Sequence, residues 1–414
     1  MGLRSGRGRT LRLSANDRET EARSSFPAFG GCWLGVVMLG SVRVVEHLYL
    51  HIPFCHRICP YCSFHKHLLA GHEPMEYVRA LGAELERESR LHELKPRTIY
   101  AGGGTPSLLG KDALRLLREL LEEHLDLSAV EEFDLEANPR TFDEAKASVL
   151  HEIGVTRMSL GVQSWIPSEL EVLGRDHSPD EAEEAFEILR ASGIPRLSLD
   201  LMFSVPGQTK ESWAESLERT LSLDPGHVSA YNLTYEEDTE FLERLRKGEF
   251  SEDENLDADL YLLAERTLGK AGFEHYEISN YARSGQRSRH NASYWRGCDY
   301  LGAGAGATST IDGIRWTNIS DTPAYVAAGK AGVVPDRESE TLDRDAVFLE
   351  RLALGLRRVE GIDRGLLEGR PSSLAAASML ESEGLLEGAK EDRLILTSKG
   401  RLVVDPIVVE LSGD

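Results

Sequence analysis

From Val44 onward the chain alternates short apolar, β-branched runs with long amphipathic ones, the pattern of parallel strands covered by helices. Six runs read as strands: Leu48 to Ile52, Thr98 to Ala101, Phe133 to Glu136, Arg157 to Val162, Arg196 to Met202 and Val228 to Leu233. The intervening stretches carry helix-start signals. Thr141 with Glu144 reads as a capping box, and Ser178, Pro179 and Glu181 supply an N-cap, an N1 proline and an N3 carboxylate. Gly193 fits a helix C-cap directly before the next strand. Repeated βα units predict an α/β fold, either a barrel-like sheet or an open doubly wound one. Both place working loops at the C-terminal ends of the strands.

After about residue 235 the pattern changes to an acidic helical stretch, a β segment from Glu274 to Tyr281, and a Gly-rich run. A third section begins near Thr341, with helices over Val347 to Leu356 and through Ser378 to Glu383, then RLILTSKGRLVV. Helices followed by a short β-wing read as a small winged-helix-like module. The expected division is therefore 1–43 as a disordered tail or over-long start with Met38 as initiator, 44–235 as core, 236–340 as an extension, and 341–414 as the C-terminal module.

Charge narrows the partners. The 414 residues carry 47 Lys and Arg against 69 Asp and Glu, a net charge of -22. Seven of those arginines fall in residues 1 to 43 beside three acids, so the remainder is more acidic still. Such a balance argues against nucleic acid as a partner, which needs a basic footprint, and makes the C-terminal module a packing or lid domain. No stretch is long enough to span a membrane. Five cysteines in the whole chain match a reducing compartment, so the expected location is the cytoplasm.

Three of those cysteines, Cys55, Cys59 and Cys62, form C-x3-C-x2-C in HIPFCHRICPYCSF. Pro53 and Pro60 oppose a helix there, so the thiols sit on an irregular loop. Three thiolates on one loop suit a 4Fe-4S cube, normally held by four, with one iron left open. The rival is a Cys3His zinc site completed by His51, His56, His65 or His67.

Other chemistry-bearing residues collect at strand ends. Gly102, Gly103 and Gly104, then Thr105 and Pro106, follow a strand and let the backbone approach a ligand. Glu136, Gln163, Arg175 and Asp200 come at or just past successive strand ends. A carboxylate there can bridge two ribose hydroxyls, an arginine can pair a carboxylate, and an amide serves both polarities.

Together with LYLHIPFCHRICPYCSF, the segments GGGTPS, LEANP, SLGVQS, LGRDH, DLMFSVPGQT and SAYNLTYEEDT resemble the radical S-adenosylmethionine (SAM) proteins related to oxygen-independent coproporphyrinogen III oxidase. The resemblance runs from about Leu48 to the end. It implies a partial (β/α)6 TIM-type barrel with a C-terminal helical domain, a cluster on Cys55, Cys59 and Cys62, and SAM on its open iron. It further implies SAM contacts from Tyr49, Gly103, Gly104, Thr105, Glu136, Gln163, Arg175 and Asp200.

Two branches of that family differ in this region. The coproporphyrinogen dehydrogenases resemble C-x3-C-x2-C-x-C with a long N-terminal arm, whereas this chain has Phe64 at the fourth cysteine position. His290, Asn291, Tyr294 and Trp295 in HNASYW are similar to the HNxxYW motif of the HemW-type heme chaperones. That resemblance implies heme as a further ligand, with those four residues as candidate contacts, and transfer of heme to an acceptor protein, with peripheral contact to membrane heme proteins. The alternative it leaves is an oxidative decarboxylase of coproporphyrinogen III propionates. Ser63, Ala305 and Thr308 depart from the usual Asp, Pro and His of the HemW type. Cys298 reads as a buried thiol.

Overall fold

The computed structural model describes residues 44–389 and 392–413; the expectations for residues 1–43 lie outside the described residues. Its main sheet has nine strands: β1 Val44–Ile52, β2 Glu93–Gly103, β3 Glu132–Ala137, β4 Arg157–Gln163, β5 Arg196–Phe203, β6 His227–Asn232, β7 Glu274–Glu277, β8 Asn280–Ala282 and β9 Leu301–Ala303. The spatial order is β9-β1-β2-β3-β4-β5-β6-β8-β7. Every neighbour from β9 through β6 is parallel, and β8 and β7 finish the sheet antiparallel.

Strands β1 to β6 lie side by side in chain order, without the reversal that marks a doubly wound sheet. The wall is that of a TIM-type barrel left open. Helices α1 Pro74–Ser89, α2 Lys111–His124, α3 Glu144–Glu152, α4 Pro179–Ala191, α5 Lys210–Ser222 and α6 Glu254–Lys270 belong to this part of the chain. Apolar residues of the strands, among them Leu50, Ile99, Leu135, Leu160, Leu199 and Val228, join helix residues such as Leu81, Leu114, Leu150, Leu189 and Trp213 in one buried core.

The alternate residues of the same strands form a second buried set that is polar. His47, Thr98, Glu132, Asp134, Arg157, Ser198, His227 and Ser229 are all buried. TIM barrels usually fill this space with branched apolar side chains. Here the charges are paired: Arg157 Nε donates to Glu132 Oε2 at 3.1 Å and lies 3.8 Å from Asp134 Oδ2. Burial pushes the Asp134 carboxyl well above its usual range.

Local signals are met with one exception. Ser178 and Glu181 form the capping box of α4, and Gly193 has φ +85° just past its end. Thr141 does not cap α3. Asp143 does, accepting from Lys146 N, while Thr141 closes the preceding turn by donating to Asn138 O at 2.7 Å. The β segment at 274–281 is a hairpin, β7 and β8.

Helix α7 Arg289–Trp295 precedes β9, and a three-stranded sheet follows, made of β10 Thr308–Ile311, β11 Ile314–Asn318 and β12 Arg337–Thr341. Helix α8 Thr322–Ala331 lies between β11 and β12 in the chain. The last section has its own core of Phe348, Leu352, Leu356, Leu380, Leu394 and Ile407. It combines α9 Arg344–Leu356, α10 Pro371–Ser382 and α11 Val404–Ser412 with strands β13 Ile362–Asp363, β14 Leu386–Ala389 and β15 Arg393–Leu396. Beyond Leu396 the chain is helical rather than part of a wing. No helix among the described residues is long and apolar enough to cross a membrane.

Candidate functional site

The loop after β1 and the ends of β2 to β6 surround a cavity of about 360 Å³. Its lining includes Cys55, Cys59, Cys62, Gly103, Gly104, Thr105, Glu136, Gln163, Arg175 and Asp200, so nearly all of the expected cluster and SAM residues meet in one place. The cysteine loop is anchored by a short parallel pairing of Phe54–Cys55 with His67–Leu68. Cys62 N donates to Cys59 O at 3.2 Å, closing a tight turn.

All three thiols are half-buried and none is in a disulfide. Thr105 Oγ1 donates to Cys55 Sγ at 3.8 Å, and Arg175 Nη1 to Cys59 Sγ at 3.6 Å. Burial pushes the Cys55 thiol up to about 11 and raises that of Cys62, so they are thiols until a metal displaces the proton. Among the described residues no set of three His, Cys, Asp or Glu side chains is already closed to metal-ligand distance. The donor set nonetheless fits a 4Fe-4S cube: three cysteines on one loop, an arginine against one sulfur, and space beyond them.

Among the described residues no histidine closes a Cys3His set with the three thiols. His51 Nε2 donates to His65 O at 2.9 Å, His67 Nε2 bonds Thr322 Oγ1 at 2.8 Å, and His56 lies 3.3 Å from Asp176. The His65 ring stacks on His51 at 5.4 Å and abuts Gly306.

The glycines serve close approach of backbones. A Cβ on Gly104 would stand 2.7 Å from Phe54 O, and one on Gly103, at φ +112°, would stand 2.4 Å from the His51 ring. Gly104 N and Thr105 N donate to Ile52 O and Phe54 O at 2.8 and 2.7 Å, stitching β2 to the cysteine loop. Gly304 approaches from the other side. It has φ +120°, and a Cβ there would meet His51 O at 2.6 Å. Its amide donates to buried Glu84, which Asn318, Tyr325 and Arg337 also bond.

The inner wall is a hydrogen-bonded set. Glu136 accepts from Tyr100 OH at 2.6 Å and from Gly103 N at 3.1 Å, and burial raises its carboxyl to about 7. Arg175 Nη2 donates to Asn138 Oδ1 and, at 2.9 Å, to Gly161 O. Asp200 accepts from Ser159 and Ser198 at 2.8 and 3.2 Å, and burial raises its carboxyl too. Gln163 sits at φ +69°, a costly conformation for a side-chain-bearing residue that marks functional sites.

Two of the expected residues sit away from the cavity. Tyr49 is not among the residues lining the cavity: its hydroxyl donates to His51 Nδ1 at 2.9 Å, and its ring stacks at 6.1 Å on that of Tyr100, which does line it. His290 is 0 % exposed. Helix α7 enters the barrel floor, where Glu132 Oε1 accepts from Arg289 N and His290 N at 2.8 and 3.0 Å. The His290 ring bonds Thr98 Oγ1 at 2.8 Å and stacks under Tyr100 at 5.1 Å. Burial lowers its pKa to about 3, so it is a neutral ring packed in the barrel floor. Asn291, Tyr294 and Trp295 on the same helix are partly exposed, and none of the four lines the cavity.

Sequence reasoning passed over Tyr100 and Asn138. Asn138 lies inside the quoted LEANP, and Tyr100 directly precedes Ala101 and the glycines; only the alternation of β2 could have placed its ring inward. Ser63 lines the cavity, whereas Ala305 and Thr308 lie along the β9 to β10 turn outside it.

Comparison with known proteins agrees with this geometry. The Radical SAM superfamily signature matches residues 49–220. Heme chaperone HemW of Mycobacterium tuberculosis is 36% identical over 371 residues, covering 88% of this chain and 94% of that protein. The chain belongs to the HemW family. Heme chaperone HemW of Bacillus subtilis is 33% identical over 379 residues, covering 89% of this chain and all of that protein. Among solved structures, coproporphyrinogen III oxidase (HemN) from Escherichia coli superposes with a TM-score of 0.76 over 90% of both chains at 23% identity, a likeness of fold. HemW family membership within the radical SAM superfamily carries with it 4Fe-4S and SAM binding in general.

Proposed function

We propose that this chain is a heme chaperone: it holds a 4Fe-4S cluster on Cys55, Cys59 and Cys62, binds SAM along the inner wall, and passes heme to an acceptor protein. The observation that carries this reading is the single cavity in which three half-buried thiols face Glu136, Arg175 and Asp200, with Phe64 in place of a fourth thiol. When bound, cluster and SAM supply one-electron chemistry.

The chain's own residues do the rest. Arg175 neutralises negative charge beside Cys59 and fixes Asn138 and Gly161. Glu136, held by Tyr100 and Gly103, offers a carboxylate to ribose hydroxyls, and Asp200 supplies a second acceptor on the same wall. Thr105 donates toward Cys55 and accepts from Asn138 Nδ2 at 3.0 Å, joining the cluster and SAM sides of the cavity. The C-terminal section, read as a winged-helix-like packing module, seats on the barrel through Arg401 to Glu265 and Val359 N to Tyr276 O. We place the activity in the cytoplasm, with peripheral contact to membrane heme proteins during hand-over.

The second reading, oxidative decarboxylation of coproporphyrinogen III, shares the cavity and the HemN fold. One experiment separates them: the anaerobically reconstituted, reduced chain with SAM is offered coproporphyrinogen III, and in parallel is titrated with hemin. Hemin binding without turnover supports the chaperone. Sustained formation of protoporphyrinogen IX refutes it.

A further inference from the structure

The cavity lining divides into two parts. The deep part, from Gly103 to Asp200, is the one the SAM reading uses. The outer part also includes Arg57, Phe64, Lys66, Tyr231, Asn232, Thr234 and Glu236, none of which the SAM reading uses. Two of these are aromatic rings left open to water: Phe64 is 66 % exposed and Tyr231 39 %. Phe64 comes from the cysteine loop and Tyr231 from the end of β6, so the rings stand on different walls of one mouth. Ile58, 41 % exposed, extends the apolar surface along the loop.

Large aromatic side chains exposed around an opening are a binding signal rather than ordinary surface. Arg57 and Lys66 add two cations to this rim in a chain whose net charge is -22. Arg57 is exposed. Lys66 donates to Cys62 O, which uses one of its three protons and holds the ammonium at the mouth. The carboxylate on the rim, Glu236, accepts from Thr234 Oγ1 at 2.8 Å and lies on the Tyr231 side of the chain. The mouth thus carries aromatic rings, with cations on the cysteine loop and an anion on the β6 loop.

We propose that this rim is the heme seat: the tetrapyrrole lies against Phe64 and Tyr231, and its propionates pair with Arg57 and Lys66, away from Glu236. The inference rests on the chaperone reading and deepens it, moving heme from the floor helix carrying His290 to the mouth above the cluster. Flat π-faces suit stacking on Phe and Tyr, and paired carboxylates suit an arginine and a lysine.

The test compares hemin with hemin dimethyl ester, in which both propionates are masked, on the full reconstituted chain. The wild type binds the ester at least about tenfold more weakly, the loss expected when charge-assisted hydrogen bonds go. Arg57→Gln with Lys66→Gln lowers hemin affinity to the level of the ester and leaves ester affinity unchanged. Arg57→Gln alone, at an exposed position between Cys55 and Cys59, gives an intermediate value at an iron content per chain equal to that of the wild type. Equal affinity of the wild type for hemin and ester overturns the seat, as does unchanged hemin affinity in Arg57→Gln. Wild-type chain that binds no hemin overturns the chaperone reading itself, and the seat with it.

Discussion

Replacing His290 by Ala distinguishes a floor residue from a heme ligand. The ring is neutral at pH 7 because burial holds its pKa near 3, so no charge is lost with it. What goes is the bond to Thr98 Oγ1, worth about 1 kcal/mol, and aromatic contacts with Tyr100 at 5.1 Å and Tyr294 at 4.8 Å, each worth about 0.5–1.5 kcal/mol. Thr98 keeps His47 as a partner at 2.9 Å, so no hydroxyl is orphaned, but a void remains beneath Tyr100. The total is about 3 kcal/mol, at the lower end for large-to-small core changes. Tyr100 then loses its support, and its bond to Glu136 loosens. SAM affinity should fall about fivefold, the worth of one ordinary hydrogen bond. Chemical denaturation, SAM titration and a hemin titration read by the Soret band measure the three consequences. Lower stability and weaker SAM binding with an unchanged Soret band are expected. Unchanged stability with a shifted Soret band and lost hemin affinity would falsify the floor assignment and restore His290 as an iron ligand.

Further expectations concern the wall and the loop. Because burial raises the Glu136 carboxyl to about 7, it is protonated below that pH, and a cationic sulfonium with donor hydroxyls favours its ionised form. SAM affinity should therefore climb as pH rises through about 7 and level off above it; calorimetric titration should lose this step in Glu136→Gln, and a pH-independent wild type would refute the role. In the apo chain the sign is opposite: the native state keeps a proton that the unfolded state releases near 4.5, so Glu136 lowers stability as pH rises from there through about 7. Gly104→Ala drives a Cβ to 2.7 Å from Phe54 O, a backbone clash costing about 1–3 kcal/mol. It should lower both the denaturation midpoint and iron uptake, and full iron loading in that variant would show that the glycine packing does not shape the cluster loop.

The strands were legible because their outward faces are apolar, whereas the repeated βα units left barrel and doubly wound sheet both open and the resemblance alone implied the barrel. The inner face was harder. In β3, Glu132, Asp134 and Glu136 alternate with Phe133, Leu135 and Ala137, a pattern that reads as one core face and one face in water. Barrel curvature buries both faces, and Arg157 with the α7 amides satisfies Glu132 while Tyr100 and Gly103 bond Glu136. The expectations for Tyr49 and His290 came from the resemblance rather than from strand alternation, which alone could have turned the Tyr100 ring inward. A histidine in HNASYW announces chemistry by its type, but whether it faces an opening depends on a helix entering the barrel floor almost two hundred residues downstream of Thr98. At α3, Asp143 outcompeted Thr141 as the cap because Thr141 is engaged by Asn138 O and Ser107.

The central claim is that Cys55, Cys59 and Cys62 hold a cube whose open iron takes SAM inside this cavity. Anaerobic reconstitution of the wild type and of Cys59→Ala, with iron counted per chain and the reduced sample followed by electron paramagnetic resonance before and after SAM, tests it most directly. The account predicts about four irons in the wild type, a spectrum that SAM changes, and neither property in the variant. A full cluster in Cys59→Ala, or a wild-type spectrum indifferent to SAM, would contradict it.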